Sequence, residues 1–310
     1  MTDSTQDAPV PGAVVSSTTA PTGVAVADPR SLLRLNNLLQ FLTTGAWYVG
    51  TPFIPLYLVS HGASAGVVGV VAGLSGIAPF AVALHVGGLV DERGPTIVLV
   101  ASVVLFGLGG AMLTALHGIP AVTIAYTLMA IANIGLAVAS QAVVATASTD
   151  ATRIRNYGYY ALSYSAGAVV GPVIGGFLAG RFGYTAAFLV MTLLTVPSLA
   201  ICSMLKTVPI SAHRAVVFGT VHTLVGTILR TRGVGAILFV SGIMMCAQAL
   251  QAIFFPLYLL KVGLSVTLIG LAIAAASLAS MVVRMIGAST AAYSSCRASP
   301  LALSNSPITI

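Results

Sequence analysis

Asn37, Gln40, Thr44, Tyr48 and Thr51 share one stretch of chain. At about 100° per residue they fall within about 80° of one helix face. Two later stretches repeat the theme: Tyr126, Asn133 and Ser140 at heptad spacing with Gln141 beside them, and Ser241, Gln248 and Gln251. Amides and hydroxyls so arranged can hydrogen-bond an uncharged molecule. They supply no proton donor or acceptor near neutral pH. The alternative use of such stripes is hydrogen bonding between neighbouring helices. Acid–base groups are scarce. Asp91, Glu92 and Arg93 adjoin one another between two apolar runs, and His85 lies six residues before Asp91. The histidine reads as structural or interfacial. There are no paired carboxylates, no Ser/His/Asp set and no phosphate loop, so an enzyme is not expected. Cys202, Cys246 and Cys296 are too widely spaced for a metal pattern or a disulfide framework. No cofactor and no metal are implied.

The elements that position these groups follow from composition. The 310 residues are 57% hydrophobic and 6% charged, and the mean hydropathy is +1.02. No soluble domain of this length hides that much apolar surface, which predicts an all-α polytopic membrane protein. Its general partners are membrane lipids. The pI of about 9.6 does not imply nucleic acid, because the basic residues are scattered between apolar spans. Eight spans are predicted, at Leu32–Val59, Ala65–Val90, Thr96–Leu116, Ala121–Ala145, Tyr157–Gly180, Thr185–Leu205, Val234–Leu260 and Val266–Gly287. Each has about 20 residues or more, enough for a hydrocarbon core of about 30 Å. Arg30, Arg34, Arg93, Arg153, Arg155, Lys206, Arg214, Arg230 and Arg232 would share one side, against Arg181 and Lys261 on the other. The positive-inside rule then puts the N-terminus in the cytoplasm, in a multi-pass protein of the cell (cytoplasmic) membrane.

Residues 1–30, rich in Pro, Ser, Thr and Ala, read as a disordered cytoplasmic tail. Residues 31–205 hold six spans. Residues 206–233 form a cytoplasmic linker in which Val217, Val221, Leu224 and Ile228 recur at helical spacing. Residues 234–287 hold two spans more, and 288–310 form a non-membrane tail of changed composition. An internal repeat divides the chain at the linker. Pro55-Leu56-Tyr57-Leu58 reappears as Pro256-Leu257-Tyr258-Leu259, and Gly62, Ser64 and Gly69 reappear as Gly263, Ser265 and Gly270. In the fifth span stands Gly167-Ala-Val-Val-Gly171-Pro172-Val-Ile-Gly175-Gly176. Glycines four apart stack into a ridge that lets helix backbones approach closely in lipid. Pro172 frees the Ala168 carbonyl and is expected to kink that ridge.

That string resembles the fifth-helix motif of exporters in the major facilitator superfamily. Gly87-Gly88-Leu89-Val90-Asp91-Glu92-Arg93-Gly94 resembles the superfamily's loop motif, with Gly87, Leu89, Asp91 and Gly94 on matching positions and Arg93 displaced by one. The resemblance implies a bundle of two six-helix halves, here the first half plus the first two helices of the second. It implies a gate held through Asp91, with Arg153 or Arg155 as a partner. It places the first, fourth and seventh spans around a central cavity. Asn37, Gln40, Thr44, Tyr48, Asn133, Gln141, Gln248 and Gln251 would then line a pathway for a small neutral or weakly polar substrate. It also sets the fifth span against the eighth, with Gly171 and Gly175 in that contact.

The function it implies is efflux by alternating access. The alternatives are a nutrient importer or symporter of the same fold, or a truncated fragment that transports nothing. Proton coupling is a family expectation, yet the first seven spans carry no Asp or Glu at membrane depth, and the fourth lacks the arginine common in drug exporters. The change after Gly287 reads as a truncation or frameshift that would leave the 310-residue form without coupled transport. A homodimer could restore a cavity.

Overall fold

A computed structural model describes residues 28–205 and 234–283, and both segments are helical throughout apart from short turns. Helix α1 (Pro29–Gly50) starts at Asp28, whose carboxylate accepts from the Arg30 N–H at 3.2 Å. The expected single span 32–59 is broken. A 3₁₀ turn at Thr51–Phe53 separates α1 from α2 (Ile54–Ser60). Pro52 and Pro55 have no N–H to continue the α ladder. Ile54 N–H instead bonds the Thr51 carbonyl, closing the tighter turn.

Six helices follow before the linker: α3 (Ala65–Arg93), α4 (Pro95–Ala115), α5 (Ile119–Thr146), α6 (Asp150–Phe182) and the pair α7 (Tyr184–Leu193) and α8 (Thr195–Met204). The last pair is one crossing, Tyr184–Met204, interrupted at Leu194 because Pro197 cannot donate to the carbonyl of Leu193. Beyond the linker lie α9 (Val234–Lys261) and α10 (Val266–Val283). Seven crossings among the described residues are long and apolar enough for a bilayer. Helix α1, which carries the amide stripe, is not one of them, because its polar face lowers its hydropathy. The tails and the 206–233 linker lie outside the described residues.

The repeat seen in the sequence recurs bond for bond. Ala63 N–H donates to Leu58 O at 3.0 Å, and Leu264 N–H to Leu259 O at 3.1 Å. Gly62 and Gly263 close these turns at φ 83° and 91°, a conformation glycine adopts without a Cβ clash. Ser64 and Ser265 then cap the next helices, each accepting a backbone N–H at 3.4 Å.

Two apolar cores hold the first six crossings. One gathers Val49, Phe53, Tyr57, Phe106, Phe188 and Met191, with the Tyr57 and Phe188 rings edge-on at 5.6 Å. The other joins Leu32 and Leu39 of α1 to Leu99, Leu136 and Cys202. Ile77 and Phe80 of α3 are exposed. Apolar surface of that kind suits lipid rather than water.

Candidate functional site: a polar cavity among four helices

Helices α1, α6, α9 and α10 line a half-open cavity of about 320 Å³. Tyr48 from α1 and Tyr164 from α6 form one wall, with their hydroxyls 3.4 Å apart. Gln248 and Gln251 of α9, three residues apart and so neighbours on its surface, form the facing wall. Ser277 and Ser280 of α10 add hydroxyls, Phe255 adds an aromatic face, and no charged residue lines the space. Such a cleft can hydrogen-bond and stack on an uncharged molecule, and its lining offers no countercharge that would favour an ion over one.

Three expected pathway residues therefore meet here: Tyr48, Gln248 and Gln251. The others lie elsewhere. Gln40 is buried and its amide nitrogen donates to Thr44 Oγ1 at 2.8 Å. Thr44 sits beneath α6, its Cβ 3.0 Å from where a Cβ on Gly167 would be. Asn37 is half-buried on α1, and Asn133 is half-buried on α5. Gln141 is exposed; its carbonyl accepts from the Tyr157 hydroxyl at 3.3 Å, and its side chain bonds the Tyr160 hydroxyl.

Sequence reasoning missed Asn36 and Tyr164. Asn36 is fully buried and donates to Ser140 O at 3.3 Å. It falls outside the 80° stripe by about 40° at 100° per residue, and α1 is enclosed on more sides than one stripe assumes. Tyr157, Tyr160 and Tyr164, spaced three and four apart on α6, are the signal that could have found Tyr164.

In the loop motif, Gly94 at φ 85° ends α3, and its N–H bonds Val90 O at 3.0 Å. Gly94 and Pro95 are buried, Gly87 is half-buried, and Asp91, Glu92 and Arg93 are exposed. The suggested pairing of Asp91 with Arg153 or Arg155 is corrected: the one ion pair among the described residues joins Arg153 to Asp150 at 3.3 Å.

The glycine string on α6 serves two neighbours. A Cβ on Gly167 would lie 2.7 Å from Phe41 O, and one on Gly171 2.7 Å from Gly45 O, while one on Gly175 would overlap Val49 O. Those three face α1, which corrects the placing of Gly171 and Gly175 against the eighth span. Gly176 and Pro172 O meet Gly270 of α10, and Thr267 Oγ1 donates to Gly176 O at 3.3 Å. Among the described residues no three of His, Cys, Asp and Glu converge as metal ligands.

Comparison with known proteins bears on this arrangement. The family model described as Major Facilitator Superfamily matches residues 37–302. No curated protein matches the chain. Among solved structures, a D-xylose–proton symporter is similar at a TM-score of 0.59 and 14% identity, covering 81% of this chain and 65% of its own. A bacterial homologue of the human lysosomal transporter Spinster, inward-facing and occupied, gives 0.51 and 16%, covering 80% and 58%. A bacterial homologue of human drug peptide transporters gives 0.51 and 12%, covering 74% and 57%. At these identities the likeness is one of fold. The chain spans less than two thirds of the length of each.

Proposed function

We take as premise that this chain belongs to the Major Facilitator Superfamily, and we propose that it moves a small neutral or weakly polar molecule out of the cell by alternating access. Membership places it among membrane transporters rather than enzymes. The observation that carries the substrate class is the cavity, whose Tyr48, Tyr164, Gln248 and Gln251 offer hydrogen bonds without a charge. The direction rests on the glycine–proline string of α6, which resembles that of exporters. The N-terminus is assigned to the cytoplasm of the cell membrane by the arginine distribution.

All six carboxylates, Asp3, Asp7, Asp28, Asp91, Glu92 and Asp150, lie before α1 or at the termini of α3 and α6. A proton-coupled cycle would therefore have no carboxylate within a crossing of this chain to carry the proton. Everted and right-side-out vesicles from cells producing the chain test the proposal, with uncharged amides and polyols as probes against benzoate and tetraphenylphosphonium. Saturable uptake of an uncharged probe into everted vesicles supports export. Uptake into right-side-out vesicles alone supports an importer. Flux in neither leaves the non-transporting reading.

A further inference from the structure

About 12 Å along α1 from Tyr48, at 1.5 Å per residue, a second polar group lies within the bundle. Asn36 and Gln40 are buried, at 0% and 5% exposure, and Asn37 stands between them in sequence. Positions three and four apart are neighbours on a helix, so Gln40 adjoins both asparagines and the three amides share one turn. Two of their nitrogens are already committed. Asn36 Nδ2 donates to Ser140 O at 3.3 Å, and Gln40 Nε2 donates to Thr44 Oγ1 at 2.8 Å.

What remains buried and unpartnered here is all of one kind. Asn36 Oδ1, Asn37 Oδ1 and Gln40 Oε1 are buried with no hydrogen-bond partner among the described residues. An acceptor buried without a partner destabilises the fold. A native bundle retains such groups where a ligand satisfies them. Three buried acceptors without a partner call for a species that donates or is positive.

The absence of a carboxylate from this set decides the charge. Asp28, the nearest acid along α1, is eight residues from Asn36, about 12 Å in a helix. Divalent cations are held mainly by carboxylates, whose charge offsets the cost of removing water. Neutral oxygens offset less and suit a single charge. We propose that Asn36 Oδ1, Asn37 Oδ1 and Gln40 Oε1 form a binding site for a monovalent alkali cation, sodium being the probe of choice. Water completes the coordination shell. The site is separate from the Tyr48–Gln248 cavity and needs no transport to be detected, so a failure of the flux experiment leaves it standing.

The test uses the 310-residue chain in detergent or nanodiscs. Binding of ²²Na⁺ is measured with unlabelled NaCl, KCl or choline chloride as competitor at constant ionic strength. Thermal unfolding is followed in the same salts. The expected result is saturable binding displaced by NaCl and not by choline, with a higher unfolding temperature in NaCl. Asn36→Ala is expected to weaken binding at least about tenfold, the loss of one ligand of few. Gln40→Glu adds a charge at the same oxygen and is expected to tighten binding. If Asn36→Ala does not fold, Gln40→Glu and the salt dependence of the unmodified chain decide. Unfolding temperatures equal in all three salts, or binding unchanged in both variants, would overturn the proposal and leave buried water as the partner of these oxygens.

Discussion

Gly176 of α6 and Gly270 of α10 meet backbone to backbone: a Cβ on Gly176 would lie 2.8 Å from the Gly270 Cα. One residue earlier, Gly175 presses on the Val49 carbonyl of α1. Helix α6 therefore has small-residue faces toward two neighbours, and adjacent glycines belong to different contacts. In lipid, where apolar burial does not favour helix pairing, such close approach is what dispersion forces require.

This division separates two mutants that the sequence alone treats alike. Gly175→Leu is expected to part α1 from α6, and Gly176→Leu to part α6 from α10. Each should cost about 1–3 kcal/mol as an overpacked contact. Cysteine cross-linking between each helix pair checks this. Loss of both cross-links in both mutants would show that the faces are not independent.

The repeat yields a sharper contrast. Gly69 and Gly270 occupy equivalent positions, yet a Cβ on Gly69 meets nothing within 4 Å, whereas one on Gly270 would overlap Pro172 O. Gly69→Ala is expected to be neutral, or stabilising by up to about 1 kcal/mol through the reduced freedom of the unfolded chain. Gly270→Ala should destabilise by about 1–3 kcal/mol. Thermal unfolding of the two single mutants decides, and equal shifts would sink the argument.

How much of this was legible differs by feature. Long apolar runs mark crossings because a spanning segment must be helical, so span positions were readable from Ala65 onward. The breaks at Thr51–Phe53 and Leu194 were not, although Pro52, Pro55 and Pro197 were in view. Whether a proline kinks, tightens or ends a helix depends on which groups take the freed carbonyls. Hairpin-like turns at Gly62 and Gly263 were legible because local chemistry repeats. The partners of a given glycine were not, since G-x-x-x-G states that something approaches closely without saying what. The cavity shows the same limit. Periodicity picked out Tyr48, Gln248 and Gln251, but the same criterion admitted Gln40 and Thr44, which bond each other. A stripe predicts a face, and only packing tells which neighbour that face meets.

The loop motif gives a backbone prediction. Gly94 takes φ 85° and ψ 156° between α3 and α4, a conformation essentially confined to glycine, where a residue with a Cβ is strained by about 1–3 kcal/mol. Gly94→Ala should lower stability by that amount, while Gly87→Ala, with nothing within 4 Å of its Cβ and a helical backbone, should not. Unfolding curves for the pair would show it; a harmless Gly94→Ala would mean the turn relaxes.

Orientation is tested at two sites in a background lacking Cys202, Cys246 and Cys296. Val262 is exposed in the turn after α9 and lies beside Lys261, one of the two basic residues assigned outside. Ser211 lies in the linker, outside the described residues, with Arg214 and Lys206 nearby. An impermeant thiol reagent on intact cells is expected to label Val262→Cys and to spare Ser211→Cys. The reverse pattern would invert the topology.

The last prediction concerns the cavity's charge. Gln248 and Gln251 hydrogen-bond without a net charge, so an uncharged ligand loses only water that these amides replace. Gln248→Glu keeps the shape and adds a negative charge to a space where no lining residue is charged. An uncharged probe then competes with a hydrated carboxylate, and a lipophilic cation gains a counterion. The affinity order for a neutral amide against tetraphenylphosphonium should therefore invert, by about tenfold or more in the ratio. Trp47 is the only tryptophan and adjoins Tyr48, so its emission can report binding in the purified chain. Tyr164→Phe, which removes the hydroxyl 3.4 Å from that of Tyr48, should weaken the neutral amide while sparing the cation. An affinity order unchanged by Gln248→Glu would place the binding site away from this cavity, even if transport of a neutral molecule were observed.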